Sequence, residues 1–497
     1  MTLTQNLSDP VDSDSARRRC STVRETLIRA GLYAAGPSDG VIATRSSDHA
    51  TNRWRIAPDP FVLSPGEVTY FRTLGQDLLA FYRALNRLYV ESIRGTQPTW
   101  AAAYLDQGKP ESLVSFSRMN RFRNMTPAVI RPDIIPTPGG MVITELDSVP
   151  GGIGMTACLA QGYADLEGLE GQPARIIGGR DGMVQGFASM LRSEQNDTPG
   201  CVAIVVSDEA QDYRQEMQWL ADRLSEIGLE SYCVHPREVR FSEEGLWLEV
   251  ETKRRAIGLV YRFFELFDLK NIAKAELVMY AAKKARVIVT PPYKPVFEEK
   301  LAFAFLHHPV LQEFWQEELG EVVWARLSVL MPRTWILDPQ PAPPTAVIPH
   351  LTVVGKPISD YRVLGTMSQK ERQMVIKPSG FSELAWGSRG VVVGHDVSQA
   401  EWAEALGQAL AAFPAGPHVL QEFHKGRVFE CSYADEATGH ITTMPGRVRL
   451  SPYYFVAHDK AELGGILATV CSVEKKVIHG MEDAIMVPCA EGTTAQS

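Results

Sequence analysis

The chain has 497 residues, of which 45% are hydrophobic and 22% are charged, a composition typical of a globular protein with room for roughly two to four domains. Its formal net charge is −9, which argues against nucleic acid or an anionic membrane surface as a partner. The seven cysteines are scattered without metal-ligand spacing, so neither a disulfide framework nor a zinc site is predicted, and the reducing cytoplasm is the simplest location. The polar N-terminus differs from a secretory signal, and no apolar run reaches the length of a membrane span.

The N-terminal part of the chain divides into a polar stretch and a helical stretch. Residues 1–50 are rich in Ser, Asp and Arg, which predicts a mobile tail with one short helix near residues 23–33. Residues 51–115 form a helical N-terminal segment in this interpretation. There, Ser64 and Glu67 have the spacing of a capping box, and apolar residues then recur at helical intervals to about Arg94.

Two regions of different character follow. Residues 116–174 are predicted to contain two extended segments, 122–131 and 140–147, on either side of a Pro/Gly turn. Residues 175–296 alternate between strand and helix patterns, which predicts a small Rossmann-like α/β sheet with strands at 201–206, 230–234, 258–264 and 287–290. No GxGxxG sequence opens this sheet, so a nucleotide site of the Rossmann type is not indicated.

The most informative acidic residues are Asp133, Glu145 and Asp147. Glu145 and Asp147 are two positions apart and therefore share one face of a strand, and Asp133 lies on the preceding segment across the turn. Clustered carboxylates repel one another unless a cation lies between them, and Mg²⁺ is the usual cation where phosphates share the site. The alternative is a solvated hairpin edge, at which acidic side chains discourage strand pairing.

Region 297–497 contains a stretch that suits a polyphosphate. A strand-like run at 374–376 leads directly to Lys377, and a second run at 391–393 follows a glycine-rich loop. The end of that loop consists of Gly387, Ser388, Arg389 and Gly390. Glycine N–H groups can approach phosphate oxygens closely, while Lys and Arg balance their charge. An ordinary turn between two strands is the alternative.

Five further positions are candidates with weaker signals. Lys300 opens an apolar helix, where a cation is unfavourable for the helix dipole and could instead bind an anion. Gln421 and Glu422 interrupt an apolar strand that could contact an adenine edge, although an ordinary edge strand is equally consistent with the pattern. Arg447 and Arg449 share a strand face and could bind phosphate or carboxylate, or simply form surface ion pairs.

Taken together, these segments resemble the circularly permuted ATP-grasp proteins of the glutathionylspermidine synthase-like group. The family has an R-x-D segment and, twelve residues after its aspartate, an E-x-N segment; this chain has Arg131-Pro132-Asp133 and then Glu145-Leu146-Asp147, and 145 − 133 = 12. The later family motifs are matched in the same order by Lys300, Lys377-Pro378, Gly387-Ser388-Arg389-Gly390, Gln421, and Arg447 or Arg449. The resemblance covers roughly residues 116–456. The chain departs from it in having Asp147 in place of the asparagine, a longer glycine-rich loop and no evident amidase domain.

The resemblance implies an α+β protein with a circularly permuted ATP-grasp fold, an inserted Rossmann-like α/β (pre-ATP-grasp) domain and an N-terminal helical segment. In that scheme, 116–174 is the metal-binding part, 175–296 the inserted domain and 297–497 the nucleotide-binding part. The implied activity is ATP-dependent ligation of a small carboxylate to a small amine through an acylphosphate, with ATP and Mg²⁺ as cofactors. Phosphoryl transfer to a different acceptor and nucleotide binding without catalysis are the alternatives.

The same resemblance implies a role for each candidate residue. Asp133, Glu145 and Asp147 would hold Mg²⁺. Lys300, Lys377 and the loop residues Gly387, Ser388, Arg389 and Gly390 would contact the phosphates of ATP. Gln421 and Glu422 would lie at the adenine, and Arg131 with Arg447 or Arg449 would bind the substrate carboxylate or its acylphosphate.

Overall fold

The computed structural model describes residues 13–33, 53–166, 174–343, 346–475, 478 and 482–492. The α-helices in these ranges are α1 (Ser13–Arg29), α2 (Pro65–Arg94), α3 (Thr99–Asp106), α4 (Glu111–Ser117), α5 (Ile153–Ala164), α6 (Gly182–Gln195), α7 (Arg214–Glu226), α8 (Ala275–Lys283), α9 (Leu301–Leu306), α10 (Gln312–Leu330) and α11 (Gln399–Ala411). None of the described helices combines the length and apolar character required to cross a bilayer.

The strands in the described ranges belong to three main sheets and one small hairpin. They are β1 (Arg53–Arg55), β2 (Phe61–Leu63), β3 (Val129–Thr137), β4 (Gly140–Asp147), β5 (Ala174–Ile176), β6 (Cys201–Val206), β7 (Ser231–Val234), β8 (Arg240–Ser242), β9 (Gly245–Val250), β10 (Lys253–Phe263), β11 (Ile288–Thr290), β12 (Thr334–Ile336), β13 (Thr352–Val353), β14 (Lys356–Pro357), β15 (Met374–Pro378), β16 (Val392–Val393), β17 (His418–Glu422), β18 (Val428–Ala434), β19 (Ile441–Ala457), β20 (Lys460–Ser472) and β21 (Glu482–Gly492).

The largest sheet joins the β3–β4 hairpin to the C-terminal part of the chain. Its strand order is β1-β21-β20-β19-β3-β4, with β18 paired to β19 and with β2 and β5 paired to β21. One long strand, β19, lies beside both β3 and β20. Strands distant in sequence therefore bring the β3–β4 hairpin next to Arg447 and Arg449.

Helix α2 forms as its sequence predicts. The Ser64 hydroxyl accepts from the backbone N–H of Glu67, the Glu67 carboxylate accepts from the N–H of Ser64, and Gly95 ends the helix with a φ of 77°. The helix packs on β20 of the large sheet, and Gly75 is required where the helix approaches β19, because a Cβ atom there would lie 2.4 Å from the ring of Tyr454. This helix supports the large sheet and contributes no candidate site residue.

Helix α1 is longer and better packed than the sequence suggested. The prediction of a mobile tail is wrong for residues 13–33, where Val23 and Leu27 are fully buried in the main core and α1 packs against α5. The polar composition of this stretch concealed a narrow apolar stripe, since the exposed face carries Arg and Glu. The remainder of the predicted tail lies outside the described residues.

The Rossmann-like sheet is confirmed. Strands β7, β6, β10 and β11 are mutually parallel in that order, while β8 and β9 extend the sheet beside the first half of β10. Helix α7 follows β6 and leads to β7, whereas α8 follows β10 and leads to β11 on the other side. The connections consequently leave the centre of the sheet in opposite directions, and the strand order reverses between β6 and β10.

A four-stranded sheet, β12-β17-β15-β16, carries Lys377, and the glycine-rich loop connects its strands β15 and β16. The predicted strand around Lys377 is β15, and it pairs antiparallel with β16 and β17. Helix α11 covers this sheet and begins with a capping box of Ser398 and Glu401. Trp402 of this helix is fully buried in a separate core with Ile376 and Leu420.

Candidate functional site

A single cleft with a cavity volume of about 1050 Å³ lies where the three main sheets meet. Residues of all three sheets line it. From the large sheet come Arg131, Asp133, Glu145, Asp147, Arg447, Arg449 and Ser451; from the four-stranded sheet and its loop come Lys377, Arg389, Gln421 and Glu422; from the Rossmann-like unit come Asp212, Tyr213, Glu216 and Glu265; Lys300 completes the set.

The β3–β4 hairpin brings the three predicted carboxylates together. Asp133 lies directly opposite Glu145, and Arg131 lies opposite Asp147. The first strand runs over Val129–Thr137 and not over 122–131 as predicted, because residues 119–125 form turns that pack beneath the Rossmann-like unit. The shift leaves the pairing of the acidic residues as the sequence indicated.

Arg131 is the centre of an ion-pair network on this hairpin. Its Nε atom lies 3.3 Å from Asp133 Oδ1, and its Nη2 atom lies 3.0 Å from Asp147 Oδ2. Burial raises the pKa of Asp147 despite the guanidinium group beside it. Arg131 thus neutralises two of the three predicted metal ligands, and its remaining nitrogen donates to the carbonyl oxygen of Gly151 at 3.3 Å.

Asp133 is held on both carboxylate oxygens. Arg449 Nη1 lies 3.2 Å from Oδ2, and the Ser451 hydroxyl donates to Oδ1 at 3.0 Å. Burial alone would raise the pKa of Asp133, but the guanidinium groups of Arg131 and Arg449 hold it below its ordinary value. Of the two candidate arginines on β19, Arg449 contacts the acidic cluster, whereas Arg447 lines the cleft and donates to the carbonyl of Val473.

Lys300 pairs with Glu145. The distance from Lys300 Nζ to Glu145 Oε1 is 2.8 Å, and Lys300 is the residue at which α9 begins. Burial lowers the pKa of a lysine, yet the Glu145 carboxylate raises that of Lys300 above its ordinary value. A cation that is unfavourable for the helix is therefore stabilised by a carboxylate of the hairpin.

Lys377 forms no ion pair with a carboxylate among the described residues. Its Nζ atom donates to the carbonyl oxygen of Thr144 at 3.0 Å and to Gln421 Oε1 at 2.7 Å. Burial lowers its pKa to about 8, although Glu145 acts in the opposite direction. A lysine with only neutral partners in a cleft is available to an anion.

The Gln421 side chain positions this lysine. Its Oε1 atom accepts from Lys377, and its Nε2 atom donates to Thr334 Oγ1 at 3.3 Å. Both polar atoms of the Gln421 side chain therefore have partners within the protein. Contact with adenine stays a prediction, and it falls to the cleft-lining backbone after Gln421. The N–H of Glu422 donates to the carbonyl of Arg333, the N–H of Phe423 donates to the carbonyl of Gln373, and residues 423–426 line the rim of the cleft.

The glycine-rich loop, residues 379–390, is fastened at both ends. A Cβ atom at Gly380 would lie 1.3 Å from the carbonyl oxygen of Glu298, so this glycine serves close packing and not phosphate contact. Ser379 donates a hydrogen bond to the buried carboxylate of Glu299. Arg389 lines the cleft and lies 3.2 Å from Glu209 of the Rossmann-like unit.

The structure gives the backbone positions of the remaining loop candidates but says less about their roles. The backbone of Gly387 and Ser388 belongs to a short 3₁₀ turn over Glu383–Ser388. Gly390 packs against Pro378, where a Cβ atom would lie 2.8 Å from the proline ring. Phosphate contacts by these residues stay a prediction.

The donor set fits a magnesium ion only in part. Among the described residues, no three side chains of His, Cys, Asp or Glu are grouped so that they could hold a metal ion by themselves. Asp133 does not fit as a ligand, because two arginines and a serine occupy its oxygens. Glu145 and Asp147 each have a single cationic partner, and two carboxylates suffice for Mg²⁺ when phosphate oxygens and water supply its other ligands.

Sequence reasoning missed two carboxylates that line the cleft from the Rossmann-like unit. Glu216 accepts from the N–H groups of Gly152 at 2.7 Å and Met155 at 2.8 Å and so caps α5, while burial raises its pKa to about 7. Glu265 lies two residues after the end of β10. The available signal for Glu265 was an acidic residue just after a buried parallel strand, a position at which α/β sheets bind ligands.

Comparison with known proteins gives one informative similarity. No protein-family model matches the sequence, and no curated protein matches it. A solved structure of a glutathione synthetase-like effector (GSS30) from Globodera pallida, in its apo form, is similar with a TM-score of 0.57 and 11% identity, over 99% of this chain and 100% of that chain. A protein from Methylobacillus flagellatus, provisionally named γ-glutamylcysteine synthetase, has a TM-score of 0.39 and 10% identity over 84% and 89% of the two chains, which is too low to support an argument. The first similarity shows that the chain has a glutathione synthetase-like fold.

Proposed function

We propose that this protein is an ATP-dependent carboxylate–amine ligase with a circularly permuted ATP-grasp site. The reaction forms an acylphosphate from a substrate carboxylate and ATP, and an amine then displaces phosphate to give an amide. The name of the glutathione synthetase-like neighbour is consistent with this class of chemistry, and the order of the motifs from Arg131 to Arg449 matches the permuted family.

One observation carries the proposal. Lys300, Lys377 and Arg449 come from three separate parts of the chain, and all of them line the cleft that also contains Glu145 and Asp147. Such a cluster of cations neutralises the charge on a transferring phosphoryl group, which is the main requirement of this chemistry. Packing of the folded chain does not explain why Lys377 has only uncharged hydrogen-bond partners.

Each residue has a defined part in the proposed reaction. Lys377 and Lys300 bind phosphate oxygens of ATP, and Gln421 holds Lys377 in position. Arg131 and Arg449 orient the substrate carboxylate for in-line attack on the γ-phosphate. The glycine-rich loop covers the cleft and excludes water, which protects the acylphosphate from hydrolysis.

Glu145 and Asp147 would hold a magnesium ion in this site. When bound, the ion neutralises charge on the β- and γ-phosphates. Asp133 instead orients Arg131 and Arg449, a change from its predicted role as a ligand that follows from its three hydrogen-bonding and ionic partners.

Hydroxylamine trapping tests the proposed function. The purified protein is incubated with ATP, Mg²⁺ and a panel of small carboxylic acids, and ADP and hydroxamate are measured. A ligase gives both products with at least one acid. Phosphoryl transfer to an alcohol gives ADP without hydroxamate, and a nucleotide-binding protein without catalysis gives neither.

The affinity for ATP is expected to depend on pH through Lys377. With a pKa of about 8, its ammonium group is mostly charged at pH 7 and mostly neutral at pH 9. Only the charged form attracts phosphate, so the affinity should fall as pH rises through the pKa, by about tenfold between pH 7 and pH 9. Equilibrium titration of a non-hydrolysable ATP analogue measures this. Lys377→Arg, which remains charged, should flatten the profile, and a flat profile in the unmodified protein would contradict the assignment.

Asp147 is expected to set the magnesium requirement. Asp147→Asn removes one negative charge beside Glu145 but keeps an oxygen that can accept from the N–H of Val149, a bond of 2.8 Å in this structure. We expect the Mg²⁺ concentration for half-maximal ADP formation to rise about tenfold, with little change at saturating Mg²⁺. Asp222→Asn on the exposed face of α7 is the control. An unchanged magnesium requirement in Asp147→Asn would exclude Asp147 as a ligand.

A further inference from the structure

The topology of the Rossmann-like unit points to a ligand position beside the proposed ATP site. Its parallel strand order is β7-β6-β10-β11, and the connections diverge between β6 and β10. In open α/β sheets, ligands bind outside the carboxyl ends of the strands where the connections diverge. Glu265 lies at this point, two residues after the end of β10 at Phe263, and it lines the cleft.

The Glu265 carboxylate has no partner among the described residues. Glu265 begins a short 3₁₀ helix, but its side chain caps no N–H group there, and it forms neither an ion pair nor a side-chain hydrogen bond. Burial and the negative charges of Glu298 and Asp147 raise the pKa of Glu265 well above its ordinary value. A carboxylate in this environment is stabilised by a cation supplied from outside the protein.

The neighbouring carboxylates are already neutralised. Glu298 lies 2.5 Å from Arg262 and also accepts from the N–H of Leu266 at 2.7 Å. Glu145 pairs with Lys300, and Asp147 pairs with Arg131. Glu265 is therefore the carboxylate of this group that forms no ion pair within the described part of the chain, because Lys300, the cation whose charge acts on it, is paired with Glu145.

An ammonium group suits this position better than a second metal ion. The ammonium of Lys300 already lies close enough to Glu145, Glu265 and Asp147 for all three carboxylates to raise its pKa. Glu145 and Asp147 are already assigned to the proposed magnesium ion, and no group of three potential metal ligands exists among the described residues to hold a second ion. A carboxylate at the edge of such a group can instead accept N–H bonds from a singly charged ammonium.

We propose that Glu265 binds an ammonium group of a substrate, and that it selects substrates carrying an amine in addition to the reacting group. The inference rests on the proposed function for the identity of the reaction, but amine binding itself requires no turnover. Two sources share this chemistry: the α-amino group of an amino-acid substrate, and the non-reacting amine of a diamine.

Calorimetric titration of the full-length protein with ADP and Mg²⁺ present tests the proposal. One arm compares L-glutamate with glutarate, which lacks the amino group; the other compares 1,3-diaminopropane with 1-aminopropane. We expect one arm to show tighter binding of the amine-bearing probe by about tenfold or more, and Glu265→Gln to abolish that difference, as the loss of a charge-assisted hydrogen bond predicts. The arm that responds identifies the source of the amine.

Glu276→Gln, a change of the same kind on the exposed first turn of α8, should leave all affinities unchanged. The proposal is overturned if neither arm shows a preference for the amine, or if Glu265→Gln retains the preference. It is also overturned if Glu265→Gln weakens ADP–Mg²⁺ binding and leaves amine binding intact, because Glu265 would then act at the metal. Amine selectivity without hydroxamate formation would contradict the ligase proposal but not the ammonium site.

Discussion

Replacement of Lys377 by methionine is expected to abolish turnover while leaving the protein folded. Within the described ranges, Lys377 Nζ has only the carbonyl of Thr144 and the amide of Gln421 as hydrogen-bond partners, so its charge is free to act on a phosphate. Methionine fills a similar volume without the charge. We expect kcat/KM for ATP to fall about 10²–10³-fold, the usual cost of removing one preorganised electrostatic contact to the reacting group.

Two measurements separate this effect from damage to the fold. Because Lys377→Met removes a cation that burial already disfavours, the free energy of unfolding should stay within about 1 kcal/mol of its original value. Gln421→Leu should reduce activity by a smaller factor, since it removes the support of Lys377 and not the charge. Full activity in Lys377→Met would show that the lysine has no role in phosphate binding.

Replacement of Lys109 by methionine is expected to cause the largest loss of stability. Lys109 Nζ lies 2.5 Å from Glu299 Oε1, and both side chains are almost entirely excluded from solvent. Removing the cation leaves a buried carboxylate without charge compensation, which costs about 3–5 kcal/mol. Urea denaturation measures this loss as a lower midpoint with an unchanged slope.

The ion pair of Lys109 and Glu299 also contacts the glycine-rich loop. Glu299 also accepts a hydrogen bond from Ser379 at the start of the loop, and Lys109 lies 5.7 Å from the ring centre of Phe381. The double variant Lys109→Met/Glu299→Gln should recover most of the stability, because glutamine needs no cation and can still accept from Ser379. A loss below 1 kcal/mol in Lys109→Met would show that the pair contributes little to the folded state.

Local sequence signals predicted much of the fold. Ser64, Ser398 and their partner glutamates fix the starts of α2 and α11, and four buried runs mark the parallel strands of the Rossmann-like unit. Period-two spacing placed Glu145 and Asp147 on one strand face. These features depend on residues within a few positions of one another, which is why one sequence suffices to predict them.

The electrostatic pairing in the cleft could not be predicted in this way. Asp133 is withdrawn from metal binding by Arg449, which lies on β19 far along the chain, and Gln421 is engaged by Lys377 across two strands. Helix α1 was missed for a similar reason, since its apolar stripe is recognisable only against the core that receives it. Such contacts depend on the tertiary arrangement, and no local pattern encodes which cation meets which carboxylate.

Isotope transfer tests the central claim, phosphorylation of a carboxylate, most directly. An acid that supports ADP formation is labelled with ¹⁸O in its carboxyl group, and the phosphate released in the presence of an amine is analysed by mass spectrometry. An acylphosphate intermediate transfers one carboxylate oxygen to each phosphate, so phosphate carrying a single ¹⁸O atom is the predicted result. Release of unlabelled phosphate during amide formation or ATP turnover would contradict the proposed mechanism.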